Sequence, residues 1–514
     1  IGIHELEEAN SIDVNCQQAP NPLLPETNEI IWGTFGFLIV FAFLAWKGIP
    51  AIRNTMDART ERIRDDLEGA ESAKAQIADV DEAGVVDAAA RIRVGRIAAG
   101  RYRQRMVVAA SVAPFLLEAT ARFVVSAAKL PGVRLGVVTA TPADQLPAGL
   151  KELLAGHWRV DDALDPQQIA QAVAGLSQQM GRVERLVGAL EQLQVPMAEA
   201  RQMLGLEGMD VDIARNVRDK SRMKSVLQAA GVPCARHQLV HDPAQALAFA
   251  EAVGFPLVAK PPAGAGAQAT YRLDEPAALQ EWLRAIPPRP DAPGLLEEFL
   301  VGEDHSFDSV TIGGETAWAS IADSLPPPPA VLRNPWMQWV VMLPRDISGP
   351  EYDGIWEAGP AALRALGVRD ALTHMEWFRR PDGSVAVSEI AARPPGAQLT
   401  NMHGYVHEMD MYRSWAELVL LDRFAQRERR YAAGTVYLRG LGKGRVRAVH
   451  GAEQLQRELG HLVVESRLPR PGQPASTTYE GEGYVIVRDP DTAVVRDALQ
   501  RIVTGIRVEL VEAQ

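Results

Sequence analysis

The sequence predicts a multidomain chain of mixed α/β and α+β class, preceded by a single N-terminal transmembrane helix. Three observations carry this. Residues 30–46 (IIWGTFGFLIVFAFLAW) form a charge-free apolar run of 17 residues. From about residue 105 to 215, short β-branched runs alternate with helical patterns. Residues 371–398 (ALTHMEWFRRPDGSVAVSEIAARPPGAQ) read as a hairpin with an acidic residue on each arm. At 514 residues the chain has room for about three domains. A net charge of −12 argues against a nucleic-acid partner. Its two cysteines, Cys16 and Cys234, stand far apart, indicating neither a disulfide framework nor a zinc site.

Taken in order, the apolar run is close to the ~20 residues that a bilayer core requires. Trp32 and Trp46 flank it as interfacial anchors. Lys47, Arg53, Arg59, Arg62 and Arg64 follow it and no basic residue precedes it, so its C-terminal side is expected in the cytoplasm. Beyond Pro50, ARTERIRDDLEGAESAKAQ is charged and Ala-rich, the pattern of an exposed helix held by charge pairs four residues apart. NPLLPETNEIIWGTFGFLIVFAF with this charged helix resembles the b subunit of bacterial F-type ATP synthases over residues 1 to about 78. That resemblance implies a membrane anchor and stator helix, with other ATP synthase subunits as partners. After Asp79 the pattern lapses at Gly84, Gly95 and Gly100, and residues 81–104 read as a junction.

In residues 105–215, the runs at 106–110, 134–139 and 185–188 are separated by helical patterns at 116–128 and 166–179. Alternation of this length predicts a parallel, Rossmann-like sheet. No glycine fingerprint follows a strand, so a dinucleotide site is not expected.

Residues 216–425 hold the chemistry. Asp219 is placed to cap a helix from Lys220 to about Ala230, with Lys220 and Lys224 on one side. Two such lysines by themselves are equally a solvated face. FPLVAK is a short strand ending at Lys260. It runs into PPAGAGAQA, where Gly264 and Gly266 permit the close backbone approach that a phosphate-cradling loop needs; a plain hairpin end has the same look. In the 371–398 hairpin, a two-residue Asp382-Gly383 turn would pair Pro381 with Ser384 and, counting outward, Glu376 with Glu389. Like charges directly opposite one another are destabilising, so a cation is expected between them. Oxygen ligands on strands suit Mg²⁺, usually with phosphates completing the shell, and Arg393 would overlook the same place as a phosphate-binding guanidinium.

The order RDKSRMKSVLQAAGVPC, FPLVAKPPAGAGAQA, GLLEEFLVGEDHSFD, HMEWF and SEIAARPPG resembles the ATP-grasp superfamily of ligases across roughly residues 105–514. The resemblance implies ATP clamped between two α+β subdomains and an acyl phosphate that an amine or related nucleophile attacks. It implies Lys220 and Lys260 as nucleotide-binding lysines and Gly264 and Gly266 in the phosphate-covering loop. Glu297, Glu298 and Leu300 fall on the adenine-reading hinge strand. Asp304 matches the ribose ligand, with His305 and Glu303 as alternatives. Glu376 and Glu389 match the magnesium ligands, and Arg393 the catalytic, phosphate-facing arginine. The implied cofactors are ATP and Mg²⁺, with Mn²⁺ as the alternative ion, and the partners are small carboxylate and amine substrates. Many members carry Asn two residues after the second glutamate, where this chain has Ala391.

Residues 426–514 alternate strands (GTVYLRG, LVVESRL, GYVIVRD) with helices near 452–458 and 492–504, an α+β cap. The expected whole is a membrane-anchored ligase with its catalytic domains in the cytoplasm, or a cytoplasmic one if residues 1–80 are a fusion artefact. The competing function is a stator subunit with an appended or artefactually fused ATP-grasp domain.

Overall fold

A computed structural model describes residues 106–262, 269–326, 331, 334 and 337–512. Its front portion is a four-stranded parallel sheet of β1 (Val107–Val112), β2 (Val133–Thr139), β3 (Gly156–Arg159) and β4 (Arg185–Val187), in the order β3-β2-β1-β4. Helices α1 (Glu118–Ala128) and α2 (Pro166–Met180) connect the strands. Asp165 caps α2 by accepting from the Gln167 and Gln168 backbone N–H groups, and Pro166 starts it. Strand β3 has the sequence GHWR, without the β-branched residues that mark the others. Tertiary packing forms it instead. Trp158 lies on Gly175 of α2, where an added Cβ would stand 2.1 Å from the indole.

Helices α3 (Gln194–Leu204), α4 (Val211–Arg218) and α5 (Lys220–Ala229) lead to a second, antiparallel sheet. It comprises β5 (His237–Val240), β6 (Leu257–Lys260), β7 (Tyr271–Leu273) and β8 (Gly294–Glu298), in the order β5-β8-β6-β7. Phe249 from α6 (Pro243–Val253) and Leu279 and Trp282 from α7 (Pro276–Ala285) fill its core with Leu257, Leu273 and Leu296.

The third sheet has eight strands, in the order β13-β12-β9-β10-β11-β14-β18-β17. These are β9 (Glu303–Ile312), β10 (Glu315–Leu325), β11 (Trp339–Leu343), β12 (Ala371–Arg379), β13 (Val385–Ala391), β14 (Ala432–Leu438), β17 (Val463–Arg467) and β18 (Gly483–Asp489). Helix α8 (Asp353–Leu366) packs Ile355, Leu363 and Leu366 with Phe307, Met375 and Trp377. Beyond α9 (Leu399–His407) and α10 (Met411–Leu421), the C-terminal strands β14, β17 and β18 join this same sheet. A small sheet of β15 (Gly440–Leu441), β16 (Arg445–His450) and β19 (Arg507–Val511), with α11 (Ala452–Leu459) and α12 (Thr492–Gly505), completes the chain.

The expected N-terminal transmembrane helix is corrected here. Among the described residues no helix is long and apolar enough to cross a membrane, and the apolar run at 30–46 lies outside them. The membrane partner and the membrane-anchored location rested on that helix, and neither is carried forward. The charged stretch that follows it and the junction also lie outside the described residues.

Candidate active site

The hairpin of β12 and β13 sets Glu376 opposite Glu389, the pair expected from the sequence. It arrives there by a different route. Arg379 pairs with Val385, Phe378 with Ala386 and Trp377 with Val387, and the Gly383 N–H donates to the Arg380 carbonyl at 2.9 Å. The turn therefore spans Pro381, Asp382 and Gly383 rather than two residues, with Gly383 at φ +83°. That would leave every later pair one residue out of register. A bulge at Ser388 restores the count, so Glu376 meets Glu389 after all.

The cation beside Glu389 is Lys220, a residue of the chain itself. Its Nζ lies 2.6 Å from Glu389 Oε1, with the two side chains 7% and 23% exposed. Asp219 fixes the start of α5 by accepting from the Ser221 and Arg222 N–H groups, both at 2.9 Å. The Lys220 N–H donates to the Pro262 carbonyl at 2.9 Å, tying this helix start to the beginning of the glycine loop. Gly264 and Gly266 themselves lie outside the described residues. The Glu376 side chain is half exposed. Its carboxyl is pushed above the usual range, first by the protein packed about the hairpin and next by the facing Glu389 charge.

Beside this pair lies a buried cluster of two lysines on one carboxylate. Lys260 Nζ is 3.0 Å from Glu297 Oε2, and Lys224 Nζ is 3.5 Å from Glu297 Oε1. Lys224 also donates to the Ser388 carbonyl at 2.9 Å, so the bulge that aligns the glutamates receives a lysine as well. Lys224 is wholly buried, and burial pulls its pKa below the ordinary lysine value against the opposing pull of Glu297. At Lys260 burial acts downward too, but Glu297 and then Glu389 outweigh it, and the net direction is up. Burial would raise Glu297, yet Lys224 and Lys260 hold it below the usual carboxylate range. Two cations against one anion make this cluster receptive to a further anion.

The other expected residues stand as follows. Glu298 accepts from Arg236 Nε at 2.6 Å and from the Arg236 backbone at 3.0 Å. Leu300 is half-buried just past β8. Asp304 is buried on β9, and burial followed by the Glu376 charge raises its carboxyl well above the usual range. Its neighbour His305 is held by Asp323 at 2.9 Å and stacks on Trp377 with centroids 4.4 Å apart, while Glu303 pairs with Arg379. Arg393 Nη2 donates to Glu191 Oε2 at 3.2 Å, and Arg218 Nη1 reaches Glu191 Oε1 at 3.2 Å. Ala391 sits opposite His374 on the hairpin.

Glu376 and Glu389 fit Mg²⁺ in one circumstance only. Two carboxylates suffice when phosphate oxygens and water complete the shell. Among the described residues no group of three or more His, Cys, Asp or Glu side chains gathers to hold a metal on its own. The expectation of a metal-binding protein is corrected accordingly, because the chain builds no self-sufficient metal centre there.

No protein-family model matches the chain. The solved structure of an L-amino acid ligase from Bacillus licheniformis superposes with a TM-score of 0.64 at 16% identity, covering 80% of this chain and all of that one. The core has the ATP-grasp fold. Among curated proteins, alanine–anticapsin ligase of Bacillus subtilis (strain 168) is 25% identical over 279 residues, which is 50% of this chain and 58% of that protein. ATP synthase subunit b of Streptomyces coelicolor is 33% identical over 93 residues, 18% of this chain and 48% of that protein. The chain thus spans about half the length of these curated relatives, and the b-subunit likeness rests on low-identity matches of this kind.

Two features of this ATP-grasp core escaped the sequence reading. Glu191 is contributed by the front portion, 202 positions before Arg393, and its only local signature is one acidic residue in a short helical turn. The second is a buried network under the hairpin. Asp308 accepts from His374 Nδ1 at 2.6 Å and from His403 Nε2 at 2.7 Å. It is held well below the usual carboxylate range despite burial, chiefly by His374 and then His403. His374 Nε2 lies 4.0 Å from Glu376 Oε1. The His-x-Glu spacing on one strand was the available signal, since i and i+2 share a face.

Proposed function

We propose that residues from about 105 onward form an ATP-dependent ligase that converts a carboxylate to an acyl phosphate and joins it to an amine or related nucleophile. The observation that carries this reading is the gathering of Lys220 on Glu389, and of Lys224 and Lys260 on Glu297, beside the facing Glu376 and Glu389. Phosphoryl transfer asks a protein mainly for positioning and charge stabilisation, and this set supplies both signs of charge in fixed places. Lys220 and Lys260 would hold phosphate oxygens. The glycine loop, with Gly264 and Gly266, would close over them. Glu297, Glu298 and Leu300 line the hinge strand for adenine, and Asp304 is assigned to the ribose.

Mg²⁺ enters this reading with the nucleotide, where it neutralises developing phosphate charge; Glu376 and Glu389 are the residues that would face it. The bound phosphates would compete with Glu389 for Lys220, and an anionic substrate group with Glu191 for Arg393. Arg393 is assigned to the transferring phosphoryl group, because a planar guanidinium matches its oxygens. Relatives named as amino acid ligases make amino acids the first candidates for both carboxylate and amine. The test is phosphate release from ATP by the full chain with Mg²⁺, against pools of amino acids and simple carboxylates. Substrate-stimulated release that Arg393→Lys reduces at least tenfold is the expected result. No stimulation by any pool would remove the ligase reading.

A further inference from the structure

The segment between β17 and β18 brings one aromatic side chain to the site from the far end of the chain. Its residues 476–482 (STTYEGE) form a fixed loop. Glu482, only 4% exposed, anchors it: Oε1 accepts from the Ser476 N–H and Oε2 from the Gly440 N–H, both at 2.8 Å. The Glu482 N–H donates to the Leu438 carbonyl at 2.9 Å, and the Gln473 side chain donates to the Glu482 carbonyl at 2.8 Å. Gly481, at φ +66°, passes so near the Leu438 carbonyl oxygen that an added Cβ would stand 2.4 Å from it. The loop is thus pinned to the end of β14, and Tyr479 sits within it.

Behind Tyr479 lies a stack of two buried rings. Trp339 of β11 and Tyr437 of β14 are cross-strand partners, and their centroids are 4.6 Å apart. Tyr479 meets Trp339 edge-on at 4.7 Å. Trp339 and Tyr437 are buried and Tyr479 is half-buried, so it is the member of the three that keeps an accessible surface. The Tyr437 hydroxyl donates to the carbonyl of Ala397, four residues past Arg393, which rests the stack on the loop that carries the arginine. The charges of the site reach the Tyr479 phenol as well. Burial raises its pKa first, Glu480 and Glu376 add to the rise, and Arg393 opposes it. Charges act appreciably only within about 8–10 Å at ordinary ionic strength, which sets this ring beside the hairpin and Arg393.

We propose that Tyr479 is a specificity-determining residue, whose ring walls the C-terminal side of the pocket for the amino acid brought to Arg393 and limits the size of its side chain. This rests on the ligase reading above. With Trp339 and Tyr437 behind it and the Glu482 anchor beside it, the wall has no room to yield. One methylene of space changes discrimination by roughly 10–200-fold, and removing a ring frees more than that. The competing role is structural, a tyrosine that only covers Trp339, and its loss would lower turnover equally for every amino acid.

Phosphate release from ATP by the full chain with Mg²⁺, measured for each protein amino acid alone and in pairs, separates the two. In Tyr479→Ala the kcat/KM of the largest amino acid that wild type uses, relative to the smallest, should rise at least tenfold through KM, and side chains larger than any that wild type takes should become substrates. Tyr479→Phe keeps the ring and should hold the ratio within threefold. Tyr479→Trp fills the place instead of emptying it and should move the ratio at least fivefold the other way, a test that stands even if the alanine protein does not fold. Ratios within threefold of wild type in both the alanine and the tryptophan proteins, or in the tryptophan protein where the alanine one does not fold, would overturn the proposal while leaving the ligase reading intact. No stimulation of wild type by any amino acid would remove that reading and the proposal with it.

Discussion

Replacing Glu297 by Gln probes the buried lysine cluster directly. The substitution keeps shape and volume but withdraws the carboxylate that stands 3.0 Å from Lys260 and 3.5 Å from Lys224. Removing one partner of a buried ion pair costs about 3–5 kcal/mol, because the remaining charge stays in a poor solvent. Two lysines are stranded here, which pushes the cost up. The Ser388 carbonyl still accepts from Lys224, which pulls it down. The lower half of the range is therefore expected. With a urea slope of about 2 kcal/mol per molar, this lowers the unfolding midpoint by roughly 1.5 M. The sign of the pH dependence gives a second check. Burial already holds folded Lys224 below its unfolded value of 10.5, and losing Glu297 removes the charge that opposed this. Between the lowered folded pKa and 10.5 the unfolded chain binds the extra proton, so stability rises with pH in that window. The gap between variant and wild type should narrow as pH is raised from about 7 toward 10. Urea unfolding of the full chain, followed by far-ultraviolet circular dichroism at several pH values, measures both effects. A midpoint within about 0.3 M of wild type, or a gap that widens with pH, would refute the assignment of Glu297 as the shared counterion.

Other expectations follow from the same geometry. Lys260→Ala should weaken ATP binding at least tenfold by calorimetry, since a charge-assisted contact contributes about 1.5–3 kcal/mol. Glu389→Gln should abolish most substrate-stimulated phosphate release while the circular dichroism spectrum stays native. Wild-type turnover in saturating Mg²⁺ would detach the hairpin from the chemistry. Asp308→Asn leaves His374 and His403 facing a neutral side chain and should cost about 3 kcal/mol in urea unfolding. The folded Asp308 carboxyl is held below its ordinary 3.8, so its own ionisation contributes fully above that value and the contribution is lost as pH falls through the lower folded pKa.

Much of the fold was legible because local rules and tertiary packing agree over most of it. The Asp219 cap starts its helix where expected, and the β-branched runs read at 106–110 and 134–139 fall in strands β1 and β2. Strand β3 shows where agreement ends. Nothing in GHWR favours a strand; it exists because Trp158 has Gly175 to lie against, a contact between elements that no local pattern displays. The eight-stranded sheet is similar in kind. Strands β14, β17 and β18 look like a separate C-terminal module in sequence, and the ladder from β11 to β14 that makes them part of one sheet is a long-range pairing that no local pattern displays.

The facing of Glu376 and Glu389 was legible for a reason that local counting does not justify. Counting outward from an assumed two-residue turn sets Glu376 against Glu389, but the real turn is a residue longer, and a bulge at Ser388 cancels the difference. A turn and a bulge each shift register by one, and a shift of one turns a side chain to the opposite face of the sheet. With only one of the two, Glu389 would leave Glu376 and Lys220 would lose its partner 2.6 Å away. The sum of the two offsets is visible from the sequence; neither offset is, because bulges follow from twist and from what lies beneath the strand. Here what lies beneath is Lys224, whose ammonium takes the carbonyl that the bulge exposes. Its second partner, Glu297, also binds Lys260, so the residue that aligns the hairpin and the residue assigned to the phosphates share one carboxylate. A phosphate drawn to Lys260 would loosen its hold on Glu297 and leave that carboxylate more fully to Lys224, strengthening the support under the bulge as the nucleotide arrives.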